Sequence, residues 1–242
     1  MKMDNVLLIT GAIDMAEFDV PYTIITDTEL RLNEYLKSLQ YAIDNYTTVR
    51  HIVFCENTAF QYDYSELIKR AEKQNKTLEI ISFKGSYDKI SFFGKGWGEG
   101  EIVQKALSES NALSNAATFF KLTGRLCVAN MDKVVKTTAN DTAFMFLPEL
   151  KRKQTVYTAF YKVDTAFYKH VLLDAYKEVN DAKKHYLEEA FFDRLMDIPI
   201  TSFGVFPYII GISGTSGEKY TPSRLGFLKA CLYNKLGFFS KK

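Results

Sequence analysis

Cysteine, proline and histidine are all scarce in this chain. The three cysteines, Cys55, Cys127 and Cys231, are odd in number, widely spaced and each set in an apolar stretch, which excludes a secreted disulfide framework and a zinc site. Five prolines in 242 residues exclude long linkers. His51, His170 and His185 have no metal-ligand spacing. No run of about eighteen apolar residues occurs, and the polar start Met1–Asp4 leads straight into a strand-like segment. A membrane span and a secretory leader are therefore not expected, and the chain is expected in the cytoplasm. A formal net charge of +2 supplies no cationic field for nucleic acid, and no RNA- or DNA-reading motif occurs. What is present is 47% apolar and 14% aromatic, enough for a sizeable core without metal or disulfide staples.

Val6 to Ile9 reads as a buried strand ended by Thr10-Gly11. Leu32, Leu36, Leu39 and Ile43 mark an amphipathic helix starting near Thr28, His51 to Cys55 a second strand, Leu67, Ile68 and Ala71 a second helix, and Leu78 to Phe83 a third strand. Continuous apolar strands alternating with amphipathic helices predict an α/β fold, with a mostly parallel, Rossmann-like sheet flanked by helices. A helix around Ile102 to Leu107 follows, then a strand over Phe119 to Ala129. Further strands are expected at Thr142 to Phe146 and Thr155 to Val163, and helices near Thr165 to Val179 and His185 to Met196. The expectation is one α/β domain over residues 1–218 with a basic amphipathic segment over 219–242. From Lys219 onward there are six cations and no acid. With Leu225, Leu228 and Leu232 at helical spacing, that segment suits an anionic membrane surface; the alternative is a last helix packed on the core with a solvated basic face.

Ligands of such sheets sit at the carboxyl ends of the strands, which points to Thr10, Gly11, Glu56 and Asn57. Gly94-Lys-Gly-Trp-Gly-Glu-Gly100 places four glycines at alternate positions before a helix and matches neither a dinucleotide fingerprint nor a Walker A loop. Close ligand approach at Gly96 and Gly98 is one reading, with Glu99 or Glu101 on hydroxyl groups, Lys95 facing a phosphate and Trp97 as a stacking plane. The other is a flexible loop whose acids complement the helix dipole. Strand alternation sends Lys121, Thr123 and Arg125 to one face and Phe120, Leu122, Leu126 and Val128 to the other, so two cations and a hydroxyl await an anionic ligand or a structural ion pair. At about 100° per residue, Glu188 falls inside the apolar arc of Leu187, Phe191, Phe192 and Leu195, whereas Glu189 does not. A carboxylate there is a candidate general base or transition-state stabiliser, or else is salt-bridged to Lys121 or Arg125. The Gly/Ser/Thr run from Gly211 to Gly217, with Ser213 and Gly214, offers amides for an anion nest or a plain surface turn.

The blocks Arg31-Leu-Asn-Glu-Tyr35, Phe54-Cys-Glu-Asn57, Gly94 to Glu101, Phe120-Lys-Leu-Thr-Gly-Arg125 and Gly211-Ile-Ser-Gly214 resemble those of bacterial glycosyltransferase-like proteins from capsule, O-antigen and lipooligosaccharide clusters. The resemblance implies a GT-A-like fold, a nucleotide-sugar donor, a saccharide or lipid-linked acceptor, and action at the inner face of the plasma membrane. It adds Arg31 and Gly124 to the nucleotide-sugar-binding set and puts Arg125 beside Glu188 as catalytic. Metal-dependent members carry an Asp-x-Asp to hold a divalent cation; none occurs here, and Asp27-Thr28-Glu29 is a poor substitute. No cofactor is assigned, and Lys95, Lys121 and Arg125 are the cations available to neutralise a leaving diphosphate. The alternative from another class is a non-catalytic nucleotide-sugar or saccharide-binding protein of a membrane-associated assembly complex. A dinucleotide oxidoreductase is disfavoured, because Thr10-Gly-Ala-Ile-Asp14 lacks the later glycines of a pyrophosphate turn.

Overall fold

The apolar runs of the first half become strands β1 (Val6–Gly11), β2 (His51–Glu56) and β3 (Thr77–Ser82), joined by helices α1 (Thr28–Asn45) and α2 (Ser65–Lys73). These elements belong to a computed structural model that describes residues 5–16, 25–147, 155–212, 217, 219–220 and 223–240. Asp27 starts α1 as its N-cap, accepting the Leu30 amide at 2.7 Å. Next come α3 (Tyr87–Phe93), α4 (Lys95–Glu109) and α5 (Asn111–Ser114), then β4 (Thr118–Thr123), β5 (Leu126–Val128) and α6 (Met131–Thr137). The second half continues with β6 (Phe146–Leu147), β7 (Thr155–Val156), β8 (Phe160–Asp164), α7 (Thr165–Phe167) and α8 (Leu187–Leu195). It ends with β9 (Ile209–Ile212), β10 (Lys219–Tyr220) and α9 (Arg224–Lys235).

The main sheet has the order β3-β2-β1-β4-β8. β1 pairs in parallel with β2 (Val6 opposite His51) and with β4 (Val6 opposite Phe119), β3 extends β2 in parallel, and β8 closes the edge antiparallel to β4. Successive residues of β1 enter opposite cores. Leu7 and Ile9 pack with Leu39 and Ile43 of α1, while Val6 and Leu8 pack with Ile102, Val103 and Ala106 of α4. Both faces are covered, which is why these strands read as unbroken apolar runs. A small antiparallel sheet, β10-β9-β5, stands beside the main one.

Four expectations from the sequence need correction. The strand over Phe119 to Ala129 is two strands, because the chain turns at Gly124-Arg125, where Arg125 is left-handed at φ 70°. The strand over Thr155 to Val163 likewise splits into β7 and β8, and Thr142 to Phe146 contributes only the two-residue β6 and bridges at Ala143. The helix over Thr165 to Val179 is broken into α7, a wide turn closed by the Leu173 amide on the Tyr168 carbonyl, and a tight turn over Ala175–Glu178.

The glycine tract is also not a loop. α4 begins at Lys95, so Gly96, Gly98 and Gly100 lie inside its first two turns, and only Gly94, at φ 112°, sits outside as the N-cap. The glycines serve packing. A Cβ on Gly96 would stand 3.0 Å from Leu187 Cβ, and one on Gly100 only 2.0 Å from Tyr176 Cβ. Gly100→Ala is therefore expected to destabilise the fold by about 1–3 kcal/mol through overpacking. Helix propensity alone favours alanine by roughly 1 kcal/mol, so a higher urea midpoint for the variant would contradict this packing role.

Candidate functional site

The carboxyl ends of β1, β2 and β4 lie side by side, with Thr10 opposite Thr123 and Gly11 opposite Glu56. At the end of β4 the Lys121 side chain is wholly buried. Its ammonium group donates to Glu99 of α4, to Thr123 Oγ1 at 2.8 Å and to the Thr158 carbonyl at 3.0 Å, so its three donors are matched by three oxygens. The Thr158 hydroxyl in turn donates to Glu188 Oε1 of α8 at 2.8 Å. One ammonium and two carboxylates thus form a single connected cluster, in which Lys121 is wholly buried, Glu99 is a quarter exposed and Glu188 is half-buried. Neither direct ion pair expected for Glu188 forms; it meets Lys121 only through Thr158.

Burial pushes the Glu188 carboxyl above its ordinary range; the Thr158 hydroxyl and a backbone contact oppose this in part, and nearby Glu99 and Glu189 add to the rise. The folded state then holds this proton more tightly than the unfolded chain. Glu188 therefore favours folding below its ordinary range, near pH 4.5, and that contribution is lost as pH rises above it. Glu188→Gln keeps an oxygen for Thr158 and removes the charge. Its stability relative to the parent, read from urea midpoints, is expected to improve from pH 4 to pH 7. A pH-independent difference would contradict a desolvated carboxylate at Glu188.

Arg125 does not share the face of Lys121. The left-handed turn swings it beneath α1, where Nη1 lies 3.3 Å from Glu34 Oε2 and the guanidinium stands 5.8 Å from the Tyr35 ring centre. Arg31 lies on the same ring at 6.0 Å and donates to the Ala12 and Ile25 carbonyls. The Tyr35 hydroxyl accepts from the Ala12 amide at 3.0 Å. These residues brace the start of the segment after β1. Gly124 is required by close approach: its amide donates to the Thr10 carbonyl at 2.8 Å, and a Cβ there would lie 2.4 Å from the Tyr35 ring. Among the described residues this corner thus holds two buried guanidiniums and one buried carboxylate, Arg31, Arg125 and Glu34.

The other predicted residues divide between bracing and the strand ends. Glu56 accepts from the Thr58 amide (2.8 Å) and hydroxyl, the Phe60 amide (3.0 Å) and the Ser82 hydroxyl, and so organises the loop after β2. Asn57 is buried, with Nδ2 near Gly98 and Oδ1 unpartnered. Of the two acids predicted on α4, Glu101 accepts from the Ser86 amide and hydroxyl, and only Glu99 joins the cluster. Exposed Lys95 lies where its charge acts on Asp181. Trp97 is stacked on Phe93 at 4.7 Å and edged by Tyr176, so a neighbour already covers one face of the expected stacking plane. Ser213 and Gly214 lie outside the described residues. Thr158 and Glu34 were not singled out from sequence. Glu34 sits inside the Arg31–Tyr35 block, whereas nothing in the pattern around Thr158 marks it.

Among the described residues no three His, Cys, Asp or Glu side chains converge as cation ligands, and Asp27 is occupied as a helix cap.

No protein-family model matches the chain, and no curated protein matches it either. Among solved structures, HddC from Yersinia pseudotuberculosis aligns at 15% identity and TM-score 0.33, over 95% of this chain and 99% of that one. A glycosyltransferase involved in the glycosylation of the major capsid of PBCV-1 aligns at 8% identity and TM-score 0.43, over 79% of this chain and 76% of that one. At these values neither likeness bears on the chemistry of this chain.

Proposed function

We propose that this chain is a GT-A-like glycosyltransferase that moves a sugar from a nucleotide-sugar donor to a saccharide or lipid-linked acceptor in bacterial surface polysaccharide synthesis, on the cytoplasmic side. The observation that carries the reading is the meeting of Glu99 and Glu188, from two helices, around buried Lys121 at the carboxyl end of the parallel sheet. Two of the blocks that resemble glycosyltransferases, Gly94 to Glu101 and Phe120 to Arg125, are joined there by the Glu99–Lys121 pair. Thr10, Gly11 and Asn57 lie where the nucleotide binds. Glu99, the more open member, accepts hydroxyl groups of the sugar and is held in place by its pair with Lys121. Glu188, with its raised proton affinity, takes the proton of the acceptor hydroxyl as the new glycosidic C–O bond forms and the sugar–phosphate bond breaks. Arg31 and Arg125 set a positive potential toward the departing nucleotide. The test is donor turnover: nucleotide release that depends on an added oligosaccharide or polyprenyl-linked saccharide supports the reading, and its absence with every donor class counts against it.

A second reading, a nucleotide-sugar or saccharide-binding protein without turnover, is favoured by one observation. All three donors of Lys121 are already satisfied inside the protein. It predicts donor binding with no nucleotide release under any acceptor condition.

A further inference from the structure

Helix α9 has two faces of different fate. Ser223 caps it by accepting the Gly226 amide at 3.1 Å. Its inner face is anchored: the Phe227 ring lies 4.4 Å from Tyr208, and Asn234 accepts from the Ser202 hydroxyl at 3.0 Å and donates to the Phe203 carbonyl at 2.9 Å. These contacts fix the rotation of the helix. At about 100° per residue, Leu225, Leu228, Leu232 and Leu236 then fall within roughly 80° of one another on the opposite side. They are 80%, 63%, 54% and 62% exposed. A preformed, contiguous leucine stripe in water is not the resting surface of an ordinary monomer. The core-packed alternative for this segment holds for Phe227, Asn234 and Phe239, whose ring lies 5.1 Å from Phe206, but not for the leucines.

Charge selects what covers the stripe. On the same wheel Arg224 and Lys235 border it on one side and Lys229 on the other, Lys241 and Lys242 follow in the sequence, and no acid occurs from Lys219 onward. A second copy stacked on the stripe would bring like charges together. An anionic surface would complement them. Twelve residues span about 18 Å, too short to cross a bilayer, and no described helix is long and apolar enough to do so. We infer that α9 docks this protein flat on an anionic lipid bilayer, its leucine stripe at the headgroup–acyl boundary and Arg224, Lys229 and Lys235 on lipid phosphates. This surface is independent of the proposed transfer chemistry.

The experiment is co-sedimentation of the full chain with vesicles of phosphatidylglycerol and phosphatidylcholine, against vesicles of phosphatidylcholine alone. Binding is expected to the anionic vesicles, to fall with added salt, and to weaken roughly fivefold for each cation removed in Lys229→Gln and Lys235→Gln. Leu228→Asp and Leu232→Asp are each expected to cost about tenfold or more in partitioning, at an unchanged thermal midpoint because both side chains are exposed. Equal retention on both vesicle types, or leucine variants that bind like the parent, would overturn the inference. So would a concentration-dependent dimer that Leu232→Asp abolishes without any vesicle binding, which assigns the stripe to a second copy.

Discussion

Glu99→Gln is expected to lower the unfolding free energy by about 3–5 kcal/mol, far more than an ordinary charge removal on a partly exposed helix. The cost resides in its partner. Lys121 has no exposed surface, and among the described residues Glu99 is the carboxylate paired with it. Glutamine preserves an acceptor oxygen but leaves the ammonium charge buried and uncompensated. Lys121→Met is expected to cost less, because the orphaned Glu99 is a quarter exposed and water reaches it. The double variant Glu99→Gln/Lys121→Met is expected to recover most of the loss, since replacing a whole buried pair by uncharged groups is often close to neutral. Urea unfolding of the four proteins measures the coupling. A loss of under about 1 kcal/mol for Glu99→Gln would place the pair among weak surface bridges and remove the rigid cluster from the account.

Glu188→Gln is expected to separate stability from activity. The amide keeps a contact for Thr158 and relieves the burial of a carboxylate, so the fold at neutral pH is expected to be as stable as the parent or more so. Turnover is expected to fall on the order of 10²- to 10⁴-fold in kcat, the range associated with loss of a positioned acid–base group. Donor binding is expected to persist. A variant that turns over like the parent would make Glu188 a buried structural carboxylate and leave the transfer step without its base.

The central sheet was legible because β1 and β2 are covered on both faces, so their sequences are nearly unbroken apolar runs, while the edge strand β3 is half-buried and still carries Leu78, Ile80 and Ile81, and the helices between them carry one apolar stripe each. The later elements were not. In Phe119 to Val128 the inward and outward sets alternate correctly up to Thr123, and Phe120, Leu122, Leu126 and Val128 do share one core. Arg125 departs from the pattern because a non-glycine residue occupies a left-handed turn, a conformation that its side chain does not announce. The glycines from Gly94 to Gly100 misled for a related reason. A glycine that lets a ligand approach and one that lets Tyr176 approach have the same sequence. Glu99 and Glu101 are equivalent in composition but point about 200° apart on α4, so only the packing of the helix decides which one reaches Lys121. Thr158 enters through its position between two short strands, where one hydroxyl and one carbonyl link groups from β4 and α8.

The most direct test of the site as a nucleotide-sugar pocket is a thermal-shift series with UDP-, GDP-, CMP- and dTDP-sugars, each with and without Mn²⁺. A ligand at a hundredfold its Kd stabilises the native state by about 2.7 kcal/mol, well within the reach of such a measurement. The account predicts a rise with one nucleotide class, undiminished without Mn²⁺ and preserved in Glu188→Gln. No rise with any nucleotide sugar in either condition would contradict it.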